Sequence, residues 1–321
     1  MKTAVILFNL GGPDCPKAVR PFLYNLFSDP AIIHLPQPLR AFVAFLISSR
    51  REKTAQSIYA HLGGGSPFLA NTEAQARALE LQLADLGEVK CFIVMRYWHP
   101  FCYETILAIE KFKPDQLVFL PLYPQFSATT TASSLKDFHE TVRIRNSSLK
   151  DVKTKIIDRY PTEPGFIKAL ADNIRIAYDE ALRHSAKPPR LLLSAHGLPE
   201  KIVQSGDPYP QQCEQTAQAV IDALKIPNLD AVLCYQSRVG PMKWIGPATD
   251  AEIDHAGQDQ TPLVIAPIAF VSEHSETLVE IGIEYRHRAE QAGVPFFAVV
   301  PTVSTTPTFI AGLARLVRAV L

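Results

Sequence analysis

The sequence predicts an α/β fold of two Rossmann-like lobes, each built on a parallel sheet, facing each other across a central cleft. Three observations predict it. Apolar runs at residues 3–10, 116–122, 190–194 and 263–268 read as fully buried strands. Amphipathic stretches alternate with them, as at 166–184, where Phe166, Leu170, Ile174 and Leu182 share one helical face. The two halves also echo each other. Leu117-Val118, then Pro121-Leu122 and Phe126-Ser127, parallels Leu263-Val264, then Pro267-Ile268 and Phe270, Ser272, while Gly11-Gly12-Pro13 parallels Gly197-Leu198-Pro199. Pro13 to Pro121 spans 108 positions and Pro199 to Pro267 spans 68, so the first half is longer by 40. An insert at about 36–67 accounts for the excess. The expected domains are residues 1–160, completed by a last helix at 307–321, and residues 161–306.

Taken in order, the strand at 3–10 runs into Gly11-Gly12-Pro13, a βα turn without G-x-G-x-x-G, which makes a dinucleotide site a weak reading. A short helix is expected at 20–27. Residues 41–47 are continuously apolar, flanked by Arg40, Arg50 and Arg51. This run suits either a buried core helix or an exposed apolar lip whose arginines meet lipid phosphates. Gly63-Gly64-Gly65 is either a plain loop or a place where backbone approaches a flat ligand closely. Helices at 72–86 and 103–112 bracket a strand at 89–97, which ends in Arg96-Tyr97-Trp98. The hydroxyl-rich turn 129–134 serves equally as a helix cap or an anion site. Residues 155–158 begin the crossover to the second half. There, helices are expected at 166–184, 209–224 and 307–321, and strands at 231–235 and 296–300.

Lys+Arg and Asp+Glu balance at 32 each in 321 residues, so no basic excess points to nucleic acid. The five cysteines include no C-x-x-C pair, which argues against a zinc ribbon or a local iron–sulfur motif and suits a reducing cytosol. The N-terminus enters a strand at once, without a signal peptide, and no apolar run approaches the roughly 20 residues that span a bilayer. A cytoplasmic protein is expected.

The most informative stretch is 261–285, TPLVIAPIAFVSEHSETLVEIGIEY. Ser272 is the expected helix N-cap, and Glu276, Glu280 and Glu284 at i, i+4, i+8 form one acidic stripe on a helix. Such a stripe is either a solvated face or a device for handling cations or protons. His196, directly after a buried strand, belongs to the same predicted cleft. Imidazole and carboxylate together suit a divalent metal, iron, zinc or copper rather than magnesium. His274 and Glu276 are two apart on a helix and cannot be equivalent ligands. The expected pair is therefore His196 with Glu276, and His274 supports them. Two protein ligands fit a metal being handed over better than a structural zinc with four. Tyr97, Trp98, Tyr123, Phe126 and Trp244 at strand ends suggest a planar apolar ligand, with Arg96 or the Ser/Thr turn taking a carboxylate.

These segments resemble the ferrochelatase family over nearly the whole chain. The motifs are NLGGP (9–13), GGGSP (63–67), LYPQFSATTTASS (122–134), LSAHGLPEKIVQSGDPYP (193–210), YQSRVGPMKWIGP (235–247) and PIAFVSEHSETLVEIGIEY (267–285). The resemblance implies a chelatase-like duplication and the insertion of Fe²⁺ into protoporphyrin IX, with release of two pyrrole protons. It implies His196 and Glu276 as metal and catalytic residues, His274 as a catalytic support, and Glu280 and Glu284 as a proton or metal path. Leu10, Ile33, Arg96, Tyr97, Tyr123, Ser127 and Trp244 fall at porphyrin-binding positions. His196 is expected to accept a pyrrole proton and Glu276 to present iron from the opposite face of the ring.

Two departures refine this. Some family members carry a C-terminal cysteine-rich extension with a [2Fe–2S] cluster, and this chain has no such cysteines, so no cluster and no tightly bound cofactor are expected. The coproporphyrin-using branch has Tyr where this chain has Leu10 and lacks the apolar lip, so protoporphyrin IX is the expected substrate. The lip implies loose association with the inner face of the cytoplasmic membrane. A monomer or weak dimer is expected. Two alternatives stay open: a related chelatase loading cobalt or nickel into a more polar tetrapyrrole, and a non-enzymatic haem or porphyrin carrier.

Overall fold

A computed structural model describes every residue except Val239 and Pro241, two positions of the 235–247 motif. The chain divides into two compact units, Met1–Arg159 with Leu313–Leu321, and Tyr160–Gly312. The first holds β1 (Lys2–Asn9), α1 (Val19–Phe27), α2 (Gln37–Ala60), α3 (Phe68–Gln82), β2 (Glu88–Met95), α4 (Cys102–Phe112), β3 (Gln116–Pro121), α5 (Ser133–Ile144) and β4 (Lys153–Ile156). The second holds α6 (Pro164–His184), β5 (Arg190–His196), α7 (Glu200–Gln204), α8 (Tyr209–Leu224), β6 (Ala231–Gln236), α9 (Thr249–Gln258), β7 (Leu263–Pro267), α10 (Arg286–Ala292) and β8 (Phe297–Val299). A last helix, α11 (Pro307–Val320), closes the chain.

Each unit carries a four-stranded parallel sheet, ordered β2-β1-β3-β4 and β6-β5-β7-β8. The orders are the same one, which is the duplication the sequence echo predicts. β1, β3, β5 and β7 lie inside their sheets and are buried nearly throughout, so they read as unbroken apolar runs. Ala4, Ile6 and Phe8 from one face of β1 and Leu117 and Phe119 from one face of β3 pack against α4 and α5 in the first unit. Leu192, Leu263 and Ile265 do the same against α9 and α10 in the second.

The expected lip is a single long helix. α2 runs through residues 41–47 and on to Ala60, and Leu39, Phe42 and Phe45 stay 50%, 59% and 50% exposed. Only Ala44 of that run is buried, so it is not a core helix. No described helix is long and apolar enough to cross a membrane.

Several local expectations give way. Residues 153–156 form an edge strand, β4, rather than a plain crossover. α3 starts at Phe68, a turn earlier than expected, and closes with a 3₁₀ turn at Ala84–Leu86. The triple glycine packs against the chain itself: a Cβ on Gly65 would lie 2.6 Å from the Asp14 carbonyl, and Ser66 N–H donates to the Pro13 carbonyl at 2.7 Å. Gly12 faces the same loop, where a Cβ would meet Ser66 Oγ at 2.5 Å. The NLGGP and GGGSP motifs are thus two sides of one packed turn.

Candidate metal-transfer site

The second unit brings its polar residues together where β5 and β6 end. β5 finishes at His196, whose register partner on β6 is Gln236. The chain after β7 returns through Phe270 to Glu273 and enters a helix at Ser275. That helix is of the π type over Glu276–Tyr285, with i→i+5 bonding, a form frequent at functional sites. Ser272 does not cap it, since its hydroxyl is buried without a hydrogen-bond partner. Instead, the Thr277 hydroxyl accepts from His274 N–H at 3.0 Å and donates to Glu273 at 2.5 Å. Glu273 in turn accepts from the Thr302 N–H and hydroxyl at 2.7 and 3.0 Å. The site turn is therefore pinned to the loop after β8.

His196 and Glu276 meet directly. The imidazole Nδ1 lies 2.9 Å from Glu276 Oε2, 80 residues away in sequence. Glu276 can only accept, so Nδ1 carries the proton and Nε2 is left as the lone-pair nitrogen. Burial lowers the His196 pKa, but the Glu276 carboxylate, aided by Glu280, outweighs it and the net shift is upward. Burial raises Glu276, and His196, His274 and Ser237 more than offset this, holding it at about 2. His274 is almost fully buried, with Nε2 3.9 Å from Glu276 and Nδ1 donating to the Ser272 carbonyl at 3.1 Å. Its burial wins over the nearby carboxylate and lowers its pKa. Among the described residues, no three His, Cys, Asp or Glu side chains gather as a metal cluster. His196 and Glu276 offer a two-donor set.

The acidic stripe is not uniform. A π-turn stacks residues five apart, and Tyr285 accordingly donates to Glu280 at 3.0 Å. Glu280 also accepts from Ser237 N–H at 2.8 Å, Ser237 Oγ at 2.6 Å and Gln236 Nε2 at 3.3 Å. Ser237 reaches it from a left-handed conformation, φ 62°, and its hydroxyl also lies 3.4 Å from Glu276. Burial and the Glu276 charge raise the Glu280 pKa above the carboxylate norm. Glu284 is exposed. Gln236, Ser237 and Tyr285 were invisible as site residues in the sequence, because the strand end and the π-turn bring them in.

Trp244 belongs beside this pair. It forms an antiparallel bridge with Pro199, and a Cβ on Gly197 would lie 3.3 Å from its ring and 3.0 Å from the Gln236 carbonyl. A side chain here would press on both the indole and the strand end that carries His196, and one of them would have to give by a few tenths of an ångström.

The other predicted residues lie in the first unit. Leu10 and Tyr97 pack in one apolar cluster with Phe22, Leu23 and Tyr59, and Ile33 is half-buried in the turn before α2. Tyr123 packs on the sheet core. Ser127 is buried and caps a π-turn at Ala128–Ala132, accepting from Thr129 N–H at 3.1 Å. Arg96 pairs with the buried Asp29 at 2.8 Å, a partner that sequence reasoning missed.

Comparison with known proteins identifies the family. The model of the family described as Ferrochelatase matches residues 2–321. The chain belongs to the ferrochelatase family. It is 54% identical over 320 residues to a Ferrochelatase of Caulobacter vibrioides, covering 99% of this chain and 90% of that one. It is 50% identical over 321 residues to a Ferrochelatase of Phenylobacterium zucineum, covering 98% and 90%. SirB from Bacillus subtilis, solved with Fe³⁺, matches with a TM-score of 0.58 at 12% identity over 100% of this chain and 96% of that one, which shows a shared fold. The motifs that define the ferrochelatase resemblance include both partners of the His196–Glu276 contact.

Proposed function

We propose that the chain inserts Fe²⁺ into protoporphyrin IX to give protohaem and two protons, a lyase reaction closing haem synthesis, and that His196 and Glu276 form the reacting pair. Membership of the ferrochelatase family gives the activity, iron insertion into protoporphyrin in haem synthesis. The 2.9 Å contact between His196 and Glu276 carries the assignment of residues. It supports a reading in which the two act from one face of the ring rather than from opposite faces. Side chains in hydrogen-bond contact leave no room for a macrocycle between them, so they act from the same side.

Metallation exchanges two pyrrole protons for one Fe²⁺, and the charge balances when both protons leave. His196 Nε2, aligned by the Nδ1–Glu276 bond, accepts a pyrrole proton, and ionised Glu276 stabilises the imidazolium that forms. Fe²⁺ competes with those protons for the same lone pairs. Glu276 supplies the negative charge that draws the cation in, against the repulsion of a helix start. The hydroxyl of Ser237 bridges Glu276 to Glu280 and gives protons a path toward exposed Glu284. Leu10 and the exposed face of α2 favour protoporphyrin IX over coproporphyrin and support loose binding to the membrane surface.

The deciding experiment is anaerobic incubation with Fe²⁺ and protoporphyrin IX, read by the appearance of the haem spectrum, with coproporphyrin in parallel. Haem from protoporphyrin supports the reading, and a bound but unmetallated porphyrin would make the protein a carrier.

A further inference from the structure

We infer that Asp29 is a positioning residue for the porphyrin side of the reaction, and that Arg96 is a strut held by it rather than a receptor for a porphyrin carboxylate. The inference rests on the porphyrin reading above and concerns the first unit alone.

Asp29 lies in the turn between α1 and α2 and is 3% exposed. A carboxylate so deep is tolerated only when paired and fully hydrogen-bonded. Its Oδ2 accepts from Tyr97 OH at 2.8 Å, Ser133 Oγ at 2.5 Å and Arg96 Nη2 at 2.8 Å. Its Oδ1 accepts from Ala31 N–H at 2.8 Å. One buried charge therefore ties the turn after α1 to the chain after β2 and to the first residue of α5.

Arg96 is spent in the same network. Its Nε donates to Ser133 Oγ at 2.8 Å and its Nη1 faces Asp137 at 3.8 Å. Two-pronged recognition of a carboxylate needs two parallel N–H groups on one edge of the guanidinium. The Nε–Nη2 edge is already occupied by Ser133 and Asp29, and Nη1 looks at a second carboxylate. An incoming porphyrin carboxylate would meet a guanidinium whose Nε–Nη2 edge is taken and whose Nη1 already faces Asp137.

The turn that Asp29 closes also shapes a wall. Its carbonyl accepts from Ile32 and Ile33 N–H at 3.0 and 2.9 Å. Arg40, in the first turn of α2, clamps the same segment through the Ser28 and Leu35 carbonyls at 2.8 and 2.7 Å. Tyr97 holds its side through N–H to the Leu10 carbonyl at 3.0 Å and its own carbonyl to Asn25 at 3.1 Å. Tyr97 thus hangs on the Asp29 carboxylate, Leu10 on Tyr97 and Ile33 on the Asp29 backbone carbonyl, so three of the residues proposed to touch porphyrin meet at this one position.

The test compares wild type, Asp29→Asn, Arg96→Gln and the double variant. Porphyrin affinity is read by fluorescence quenching with protoporphyrin IX and its dimethyl ester, and KM is measured separately for porphyrin and Fe²⁺. Asp29→Asn should weaken porphyrin binding about tenfold, the factor that 1.4 kcal/mol gives, and leave the KM for Fe²⁺ within about twofold. Arg96→Gln should lose the same factor on diacid and ester, and the double variant should be no worse than the weaker single one. Loss on the diacid alone would make Arg96 a carboxylate receptor and overturn the inference. So would equal rises in both KM values, or no change in either, for Asp29→Asn. If Asp29→Asn does not fold, Ser133→Ala removes one donor, leaves the ion pair and should shift porphyrin affinity in the same direction. A wild-type protein that binds porphyrin but makes no haem would refute the proposed function, while the binding comparison would still decide the role of Asp29.

Discussion

Replacing Leu39, Phe42 and Phe45 together by serine tests whether the exposed face of α2 meets a membrane. The three side chains are 50%, 59% and 50% exposed, so half of each remains to be buried. Full burial of a leucine or phenylalanine side chain is worth about 1.5–3 kcal/mol. Half of that, taken three times, comes to ~3 kcal/mol, or ~100-fold in partitioning at 1.4 kcal/mol per factor of ten. Arg50 is exposed beside this face and adds an attraction to anionic lipid that salt screens. The assay is co-sedimentation with vesicles containing phosphatidylglycerol at two salt concentrations. Wild type should bind and weaken at high salt, and the triple variant should lose about 100-fold at both. The half of each side chain already buried in the fold is lost too, ~3 kcal/mol by the same rule, so thermal stability should fall in parallel, with the cation–π contact between Arg20 and Phe45 at 5.1 Å adding about 0.5–1 kcal/mol. Wild-type protein that ignores the vesicles, or a triple variant that partitions within threefold of it, would refute the membrane reading.

Further outcomes follow from the site. His196→Ala should slow iron insertion by about 10²–10⁴, the range for losing a positioned base, and Glu276→Gln should slow it at least as much, with porphyrin fluorescence quenching intact in both. The pH dependence has a definite sign. His196 has a raised pKa and its protonated form can take neither iron nor a pyrrole proton, so kcat/KM for Fe²⁺ should fall as pH drops through that pKa. Glu276→Gln removes the charge that raises it, so any residual activity should persist to lower pH. Iron and sulfide analysis of anaerobically purified protein should find no [2Fe–2S] cluster. Glu163 accepts from Phe166 N–H at 2.8 Å as the N-cap of α6, and Glu163→Ala should cost about 1 kcal/mol in thermal unfolding without touching the KM values.

What could be read from sequence depended on whether a residue's role is local. The interior strands β1, β3, β5 and β7 announce themselves because both faces are covered and no polar residue is tolerated. β4, Lys-Thr-Lys-Ile at a sheet edge, is half-exposed and carries no such signal. α9, rich in Asp, Glu and His, buries only Thr249, Ile253, Ala256 and Gly257 and was likewise silent. In the site, His196 and Glu276 stood out as reactive side chains at predicted element ends. The π-turn did not, because an i, i+4, i+8 pattern fits an α-helix equally well on paper. That is why Glu280 was grouped with Glu284, although one is gripped by Ser237, Gln236 and Tyr285 and the other is exposed. Asp29 looked like an ordinary loop aspartate, since its partners Tyr97 and Ser133 lie 68 and 104 residues further on.

The grouping of Leu313–Leu321 with Met1–Arg159 bears on how the protein is made. Arg318, on α11, pairs with Asp85 and donates to the Gln82 carbonyl at 2.7 Å, stitching this segment to the end of α3. During synthesis the second unit can complete itself as soon as Gly312 leaves the ribosome. The first unit, translated earlier, must wait with a gap on its surface until the segment that follows has emerged. The part of the chain made first is therefore the last to be finished, and a nascent chain stalled before Leu313 should be selectively open to proteases within residues 1–159.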